Sequence, residues 1–370
     1  MQITLAHHWI VSMRGGEKVL EQLCMLFPDA PIETIVAAPV IPSKIISNHA
    51  IRQTFLGHIP GIHRNFRWFL PLFPLLIQGK HVRGDLLVTS DASLIKGIRK
   101  SKHTRHICYC HSPPRYLWDM QDEYVRSMPR GIRTLFKICS LYLRAYDQKS
   151  SDNVDYFVAN SHFVAQRIQK IYNRESDVVH PPVDIDSFKP GNVNDNFYLI
   201  VAALEPYKRV DLAIKAFTQL KLPLVVIGDG PEKNKLREIA GGSIKFLGAQ
   251  PFAVLCDYYK RCKAFVFPGI EDFGITPLEA QASGRPVIAF GEGGSLETVI
   301  DQETGIFFHE QSVQALIEAV QRMELDLNNF VPEKCRQNAL RFSPEVFKEK
   351  FMNVLSRFYP NLFISSKERQ

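Results

Sequence analysis

Short apolar runs that alternate with helix-length amphipathic stretches leave this chain few folds to adopt. Ile3–Ala6, Asp85–Ser90 and Tyr156–Ala159 in the first half are four to six residues long and at least half apolar, as are Phe197–Ala202, Leu224–Ile227, Ala264–Phe267 and Pro286–Ala289 in the second. A strand covered on both faces needs such a run. Small or polar residues and then a helical pattern follow each run, which predicts βαβ units and parallel sheets. Sheets of this kind bind ligands beyond the carboxyl ends of their strands, so residues that carry chemistry are expected just after a strand.

At 370 residues the chain exceeds one ordinary core. The alternation pauses between His180 and Asn192, where Pro181-Pro182 and Lys189-Pro190-Gly191 read as a linker. The expected division is a Rossmann-like domain at 1–185, a second at 190–342, and a C-terminal helix and tail at 343–370. That helix starts with Ser343 as N-cap and Pro344 at its first position, and Phe347, Phe351, Val354, Leu355 and Phe358 form its apolar stripe.

Seven cysteines at unpaired spacings predict reduced thiols and a cytoplasmic setting. The N-terminus lacks a basic region followed by a long apolar run, so no signal peptide is expected. The longest apolar stretch, Phe66–Ile77, contains Arg67, Pro71 and Pro74 and is too short to cross a bilayer. Charge is uneven. Residues 52–149 hold 17 Lys/Arg against 6 Asp/Glu, a local +11 where the whole chain carries +7. This basic half suggests an anionic surface or acceptor, against the plainer reading of a solvated face. Within it, Leu56–Arg83 mixes Phe66, Trp68, Phe69 and Phe73 with Arg64, Arg67, Lys80 and Arg83. That mixture suits either the headgroup zone of an anionic membrane or the domain core.

Four segments carry chemistry. Pro268-Gly-Ile-Glu-Asp-Phe-Gly-Ile-Thr-Pro-Leu-Glu follows an expected strand. A helix starting near Gly274 would leave Glu271 in the preceding loop and put Glu279 on its second turn. The free amides around Phe273, Gly274 and Ile275 would favour an anion such as a diphosphate. Lys208 and Arg209 stand between a strand ending near Ala202 and a helix carrying Val210, Ala213, Ile214 and Phe217. Fixed cations there would stabilise a departing diphosphate. Gly15-Gly16 opens a helix after the first strand. It lacks the third glycine of a dinucleotide fingerprint and the Gly-Lys-Ser/Thr of a P-loop. Finally, His106, Cys108 and Cys110 would share one strand face ahead of His111, with a spacing that matches no standard zinc pattern.

The Glu271…Glu279 segment resembles the paired-glutamate motif of retaining glycosyltransferases of family 4 (glycosyl transferases group 1), the GT-B type with two Rossmann-like domains facing a cleft. Gly291-Glu-Gly-Gly-Ser-Leu-Glu-Thr-Val is similar to the bacterial GDP-mannose-dependent mannosyltransferase branch. The resemblance implies that Glu271 holds donor-sugar hydroxyls and Glu279 the ribose hydroxyls. It implies that Lys208 and Arg209 hold the diphosphate, that Gly15 and Gly16 let the backbone approach the donor, and that His111 approaches the donor sugar. Arg115, Tyr116 and Trp118-Asp119 match a pattern of the same branch, and Ala159-Asn160-Ser161 followed by Arg167 another family motif. Arg115, Tyr116 and Ser161 are the expected acceptor contacts.

The implied activity is transfer of a sugar, mannose from GDP-mannose, to a glycan or lipid-linked glycan in lipopolysaccharide, capsule or other surface polysaccharide synthesis. No cofactor beyond the nucleotide-sugar co-substrate, no metal and no nucleic acid is expected. The C-terminal helix is expected to cross back to the first domain. The enzyme is placed in the cytoplasm, at the cytoplasmic face of the membrane. Two other readings keep the fold: a GT-B epimerase or phosphorylase, and a catalytically silent nucleotide-sugar-binding or membrane-surface module.

Overall fold

A computed structural model of the chain describes residues 1–191 and 195–360. Two compact units emerge, Met1–Pro182 together with the chain from Phe347 onward, and Val183–Val346. The first is built on seven strands in the spatial order Ile51–Arg52, Ile32–Thr34, Ile3–His7, Leu86–Asp91, Arg105–Cys110, Tyr156–Ala159 and Ser176–Val178. All pairings are parallel. The chain begins in the middle of the sheet, winds to one edge and returns to build the other. Its direction of winding reverses between Ile3–His7 and Leu86–Asp91, where the register runs from Ile3 opposite Leu86 to His7 opposite Ser90.

The second unit repeats the plan with six parallel strands in the order Ile244–Gly248, Leu224–Ile227, Tyr198–Val201, Ala264–Phe267, Val287–Phe290 and Gly305–Phe308. Its reversal lies between Tyr198–Val201 and Ala264–Phe267. At such a reversal, successive crossover helices pass to opposite faces and leave a crevice at the strand ends, where ligands of this architecture bind. The central runs are apolar throughout because both faces are covered. Tyr198, Ile200, Val226 and Ile288 face one core, and Leu199, Val225, Phe265 and Val287 face the other. The fold class expected from the sequence, two Rossmann-like α/β domains, is the one observed.

The unit boundary departs from the expected position. Val183, Ile185 and Phe188 are buried in the core of the second unit, so the division falls at Pro182 rather than between 185 and 190. Helix Pro344–Phe358 is capped by Ser343, whose Oγ accepts from the amide of Val346 at 3.4 Å. It carries Phe347, Phe351, Val354 and Leu355 into the core of the first unit beside Leu5, Leu20 and Ile107. Each such side chain contributes about 1.5–3 kcal/mol when buried. Residues 361–370 of the expected tail lie outside the described residues.

Candidate active site

In the second unit, two loops meet where the winding reverses. One leaves Tyr198–Val201 and ends in the turn Pro206–Lys208. The other leaves Ala264–Phe267 and leads into helix Ile275–Ala282. They touch because Gly269 has no side chain: a Cβ there would lie 2.8 Å from the Cα of Lys208 and 2.8 Å from the carbonyl of Tyr207. The contact brings the Lys208 ammonium onto the Glu271 carboxylate as an ion pair, with about a fifth or less of either side chain exposed. Ala202, Gly269 and Thr276 line a small cavity with this pair.

The backbone of Glu271 is fixed from behind. Its carbonyl accepts from the amide of Gly294 at 2.9 Å, and Glu271 bridges to Gly293. A Cβ on Gly294 would fall 2.2 Å from the Cα of Phe273, so the Gly293-Gly294 pair serves close packing of the two loops. Gly274 stands at φ 92, a left-handed conformation costly to other residues, and starts helix Ile275–Ala282 with no side-chain cap. Its first amides therefore keep the donor character expected of an uncapped N-terminus. Phe273 is buried against Phe342 and holds the turn from below. Glu279, on the second turn, accepts from the hydroxyl of buried Tyr259 at 2.7 Å. Burial and the Glu279 charge push that phenol well above its ordinary range, so it stays a donor.

Arg209 follows at φ 51, unusual for a residue with a side chain, and begins helix Val210–Leu220. Its guanidinium donates to Asp211 Oδ1 and to Gln311 Oε1, each at 3.2 Å. Glu271, Glu279, Lys208, Arg209, Phe273, Gly274 and Ile275 thus all stand on the two loops at this reversal or the helices they open.

The reversal in the first unit holds a different group. Parallel register sets His7 beside Ser90, and the next strand delivers His111. Ser90 Oγ sits between His7 Nδ1 at 3.0 Å and His111 Nε2 at 2.7 Å. His8 Nδ1 lies 3.3 Å from the Ser90 carbonyl, which can only accept, so this nitrogen carries the proton. His7 Nε2 is buried with no partner among the described residues. Burial drives His111 down to about 3. Burial and then the neighbouring His8 and His111 hold His7 well below its ordinary value, and burial also lowers His8. All three imidazoles are neutral at physiological pH. Gly15 starts the helix to Leu26, and a Cβ on Gly16 would meet His7 Cε1 at 3.5 Å and His111 Nε2 at 3.6 Å, so this glycine lies directly over the cluster. His7, His8 and Ser90 escaped the reading of the sequence, although their place at the ends of two central strands was a signal that could have found them.

The expected acceptor contacts behave otherwise. Ser161 is fully buried, and its Oγ caps helix His162–Tyr172 by accepting from Val164 at 3.0 Å. The Tyr116 hydroxyl lies 2.7 Å from Ser93 Oγ, and Arg115 pairs with Asp119 at 3.7 Å. Arg167, from the family motif after Ser161, binds Ser112, Asp119 and the carbonyl of Pro113. Trp118 Nε1 donates to Asp147 at 2.8 Å, inside a buried network with Lys96 and Asp91. Ser161 and Tyr116 are thus each hydrogen-bonded within the first unit. Together these residues pin the segment that carries His111.

His106 is buried between Thr89 Oγ1 at 2.9 Å and the Asn153 carbonyl at 3.1 Å, both ordinary hydrogen bonds. The sequence contains one Asp-x-Asp triplet, Asp184-Ile185-Asp186, a spacing that can hold a metal. In the structure Ile185 is core, and Asp184 accepts from the amide and hydroxyl of Ser187. Among the described residues no three His, Cys, Asp or Glu side chains converge as a metal site.

Comparison with known proteins accords with this geometry. Residues 183–341 match the model of Glycosyl transferases group 1, and residues 13–187 that of Glycosyltransferase Family 4. The chain is 30% identical over 186 residues to a D-inositol 3-phosphate glycosyltransferase of Mycobacteroides abscessus, a match covering 43% of this chain and 42% of that protein. It is 23% identical over 298 residues to the alpha-1,3/1,6-mannosyltransferase ALG2 of Candida glabrata, covering 65% of this chain and 63% of that one. These matches span less than two thirds of either relative. In fold, the chain resembles Anabaena Alr3699/HepE in complex with UDP-glucose, with a TM-score of 0.70 at 15% identity over 96% of this chain and 100% of the other.

Proposed function

We propose that the chain, whose two halves match the models of Glycosyltransferase Family 4 and Glycosyl transferases group 1, is a Family 4 type glycosyltransferase that moves mannose from GDP-mannose, with retention of configuration, to a glycan or lipid-linked glycan of a surface polysaccharide. The observation that carries this reading is the Lys208–Glu271 pair at the reversal of the second sheet, with Glu279 on the adjoining helix. A paired cation and carboxylate between two strand ends, next to uncapped helix amides, fits a ligand that is anionic at one end and a polyol at the other.

In this reading the uncapped amides, Lys208 and Arg209 hold the diphosphate, and the cations stabilise the charge it gains as its bond to the sugar breaks. Glu271 takes hydroxyls of the donor sugar, and Glu279, oriented by Tyr259, takes the ribose hydroxyls. The acceptor oxygen forms the new bond to the anomeric carbon, the bond from that carbon to the phosphate oxygen breaks, and the departing phosphate accepts the acceptor's proton. His111 stays neutral and serves as a hydrogen-bonding group. The residues named here supply the positive charge for the leaving group, so the reaction is proposed to proceed without a divalent cation. The ALG2 relative supports mannose as the sugar.

The test is incubation of the protein with radiolabelled nucleotide sugars and membrane extract. Label from GDP-mannose should pass into a lipid- or glycan-linked product, and EDTA should leave the rate unchanged. Release of free sugar or sugar phosphate alone would overturn transfer. Label taken only from a different nucleotide sugar would overturn the donor, and a strict need for Mg²⁺ or Mn²⁺ the metal-free step.

A further inference from the structure

Helix Arg130–Ser151 buries one side and leaves the opposite side apolar and open to solvent. Ser140, Leu143, Asp147 and Ser150 point inward. Leu135 is 61% exposed, Ile138 62%, Leu141 65% and Tyr142 50%. At 100° per residue, Leu135, Ile138 and Tyr142 fall on one line, with Gly131 and Ala145 continuing it and Leu141 beside it. Single exposed apolar residues need no explanation, but a row of them along three turns does. Five Lys or Arg against one Asp make up the helix's charge, and that aspartate is buried on Lys96. Exposed Arg130 and Lys137 run along one flank of the row, and Lys149 stands at its C-terminal end.

A second exposed patch rises from the same layer. Leu143 of this helix and Phe66, Phe73 and Ile77 share one core cluster against Ala6 and Leu87 of the sheet. Outward from that cluster point Trp68, 65% exposed, and Leu75, 66% exposed, with Arg64 and Arg67 open beside them. The structure thus divides the Leu56–Arg83 stretch, with Phe66 and Phe73 in the core and Trp68 and Leu75 at the surface.

From this geometry we propose that the outer face of helix Arg130–Ser151, together with Trp68 and Leu75, seats the first unit on an anionic bilayer. Apolar side chains enter the boundary between headgroups and acyl chains while Arg130, Lys137, Arg64 and Arg67 meet lipid phosphates. Charge decides against a second copy of the chain as occupant. A two-fold contact along the row would gather Arg130 and Lys137 of both copies at one interface with no exposed acid on the helix to answer them. The surface stands whether or not the sugar-transfer reading holds.

Co-sedimentation of the full chain with vesicles of phosphatidylcholine alone, or mixed with phosphatidylglycerol, tests it. The protein should pellet with the anionic vesicles, less so as salt rises, and its tryptophan emission should shift to the blue unless Trp68 is replaced by Phe. Leu135→Ser/Ile138→Ser/Tyr142→Ser should lower the partition coefficient at least about tenfold, since three apolar side chains leave the interface. Arg130→Glu/Lys137→Glu should abolish the preference for anionic lipid. Both variants alter exposed positions and should keep the circular dichroism spectrum and nucleotide-sugar binding of the parent. Wild-type protein that stays in the supernatant overturns the proposal, and so does binding that both variants retain. A dimer seen by light scattering that the triple serine variant dissociates, with no lipid binding, would assign the face to a second copy.

Discussion

The two units place opposite chemistry at equivalent points of one architecture. Where the second sheet reverses, a lysine and a glutamate meet as charges at the surface of the loops. Where the first reverses, three neutral histidines gather around a serine, and burial drives their protons off. Charge pairs suit a ligand with its own charge to hold. Neutral imidazoles suit hydroxyl groups, which need a donor or acceptor at short range and gain little from a fixed charge. On the proposed function, the second unit's charges serve the nucleotide sugar, diphosphate and sugar hydroxyls alike, and the first unit's imidazoles offer further hydrogen bonds to hydroxyl groups.

Removing the charge should do the most damage. Lys208→Ala is expected to cost on the order of 10²-fold or more in kcat, the scale of one preorganised group that stabilises developing charge. Glu271→Ala should also act mainly on turnover. Steady-state kinetics check this, and wild-type kcat in both variants would remove the second unit's loops from the reaction. Next in size, Glu279→Ala should raise KM for the nucleotide sugar about tenfold with kcat little changed, because a ribose contact is as strong in the ground state as in the transition state. A fall in kcat at constant KM would place Glu279 at the reacting end of the donor instead.

Ser90→Ala sharpens the contrast from the other side. Ser90 has one proton, so it donates to only one of its two histidines, and its loss leaves the orientation and tautomer of His111 to chance. The expected result is up to about tenfold lower kcat, the worth of one hydrogen bond, with KM unchanged. Ser90→Thr, which restores the hydroxyl, should recover part of it. Equal loss in both variants would make Ser90 a packing residue only.

The asymmetry also explains what was legible in the sequence. The Lys208–Glu271–Glu279 group lies in two short local segments, each a strand end running into a helix, where a family resemblance can find it. His7, Ser90 and His111 come from three strands and meet only through parallel register, which no window along the chain reveals. The central strands were legible because both faces are buried and the runs are apolar. Ile32–Thr34, Ile51–Arg52 and Ser176–Val178 were not: two or three residues at or near a sheet edge show no period. Val183, Ile185 and Phe188 hid behind the prolines of an apparent linker, and prolines announce a turn without saying which core the next residues enter. Ser161 and Tyr116 matched a motif whose residues here also hydrogen-bond to their neighbours, a partnership that the motif alone does not announce.

The smallest effect should come from acid, and it should fall on one unit. Eleven of the twelve histidines and all three tryptophans lie in the first unit. Burial lowers His106 to about 4 and His111 to about 3, and lowers His7 and His8 as well. A histidine whose folded pKa lies below its unfolded value of 6.5 binds more protons when unfolded. Its contribution is whole above that value and drains away as pH falls through 6.5 toward the folded pKa. At pH 5 that amounts to about 2 kcal/mol for each of His106 and His111. Glu17 works the other way: burial raises it to about 6, so it favours the folded state as pH drops from 6 to its unfolded value. One such carboxyl does not offset four imidazoles. Tryptophan emission therefore reads the unfolding of the first unit, and its thermal midpoint should fall by about 5–10 °C between pH 7.5 and pH 5. Hydrogen exchange of the Tyr198–Val201 and Ala264–Phe267 amides reads the second unit, and their protection should decline less over the same interval. If both units weakened in step, or the tryptophan midpoint held still, the neutral histidine cluster would not be what sets the first unit apart.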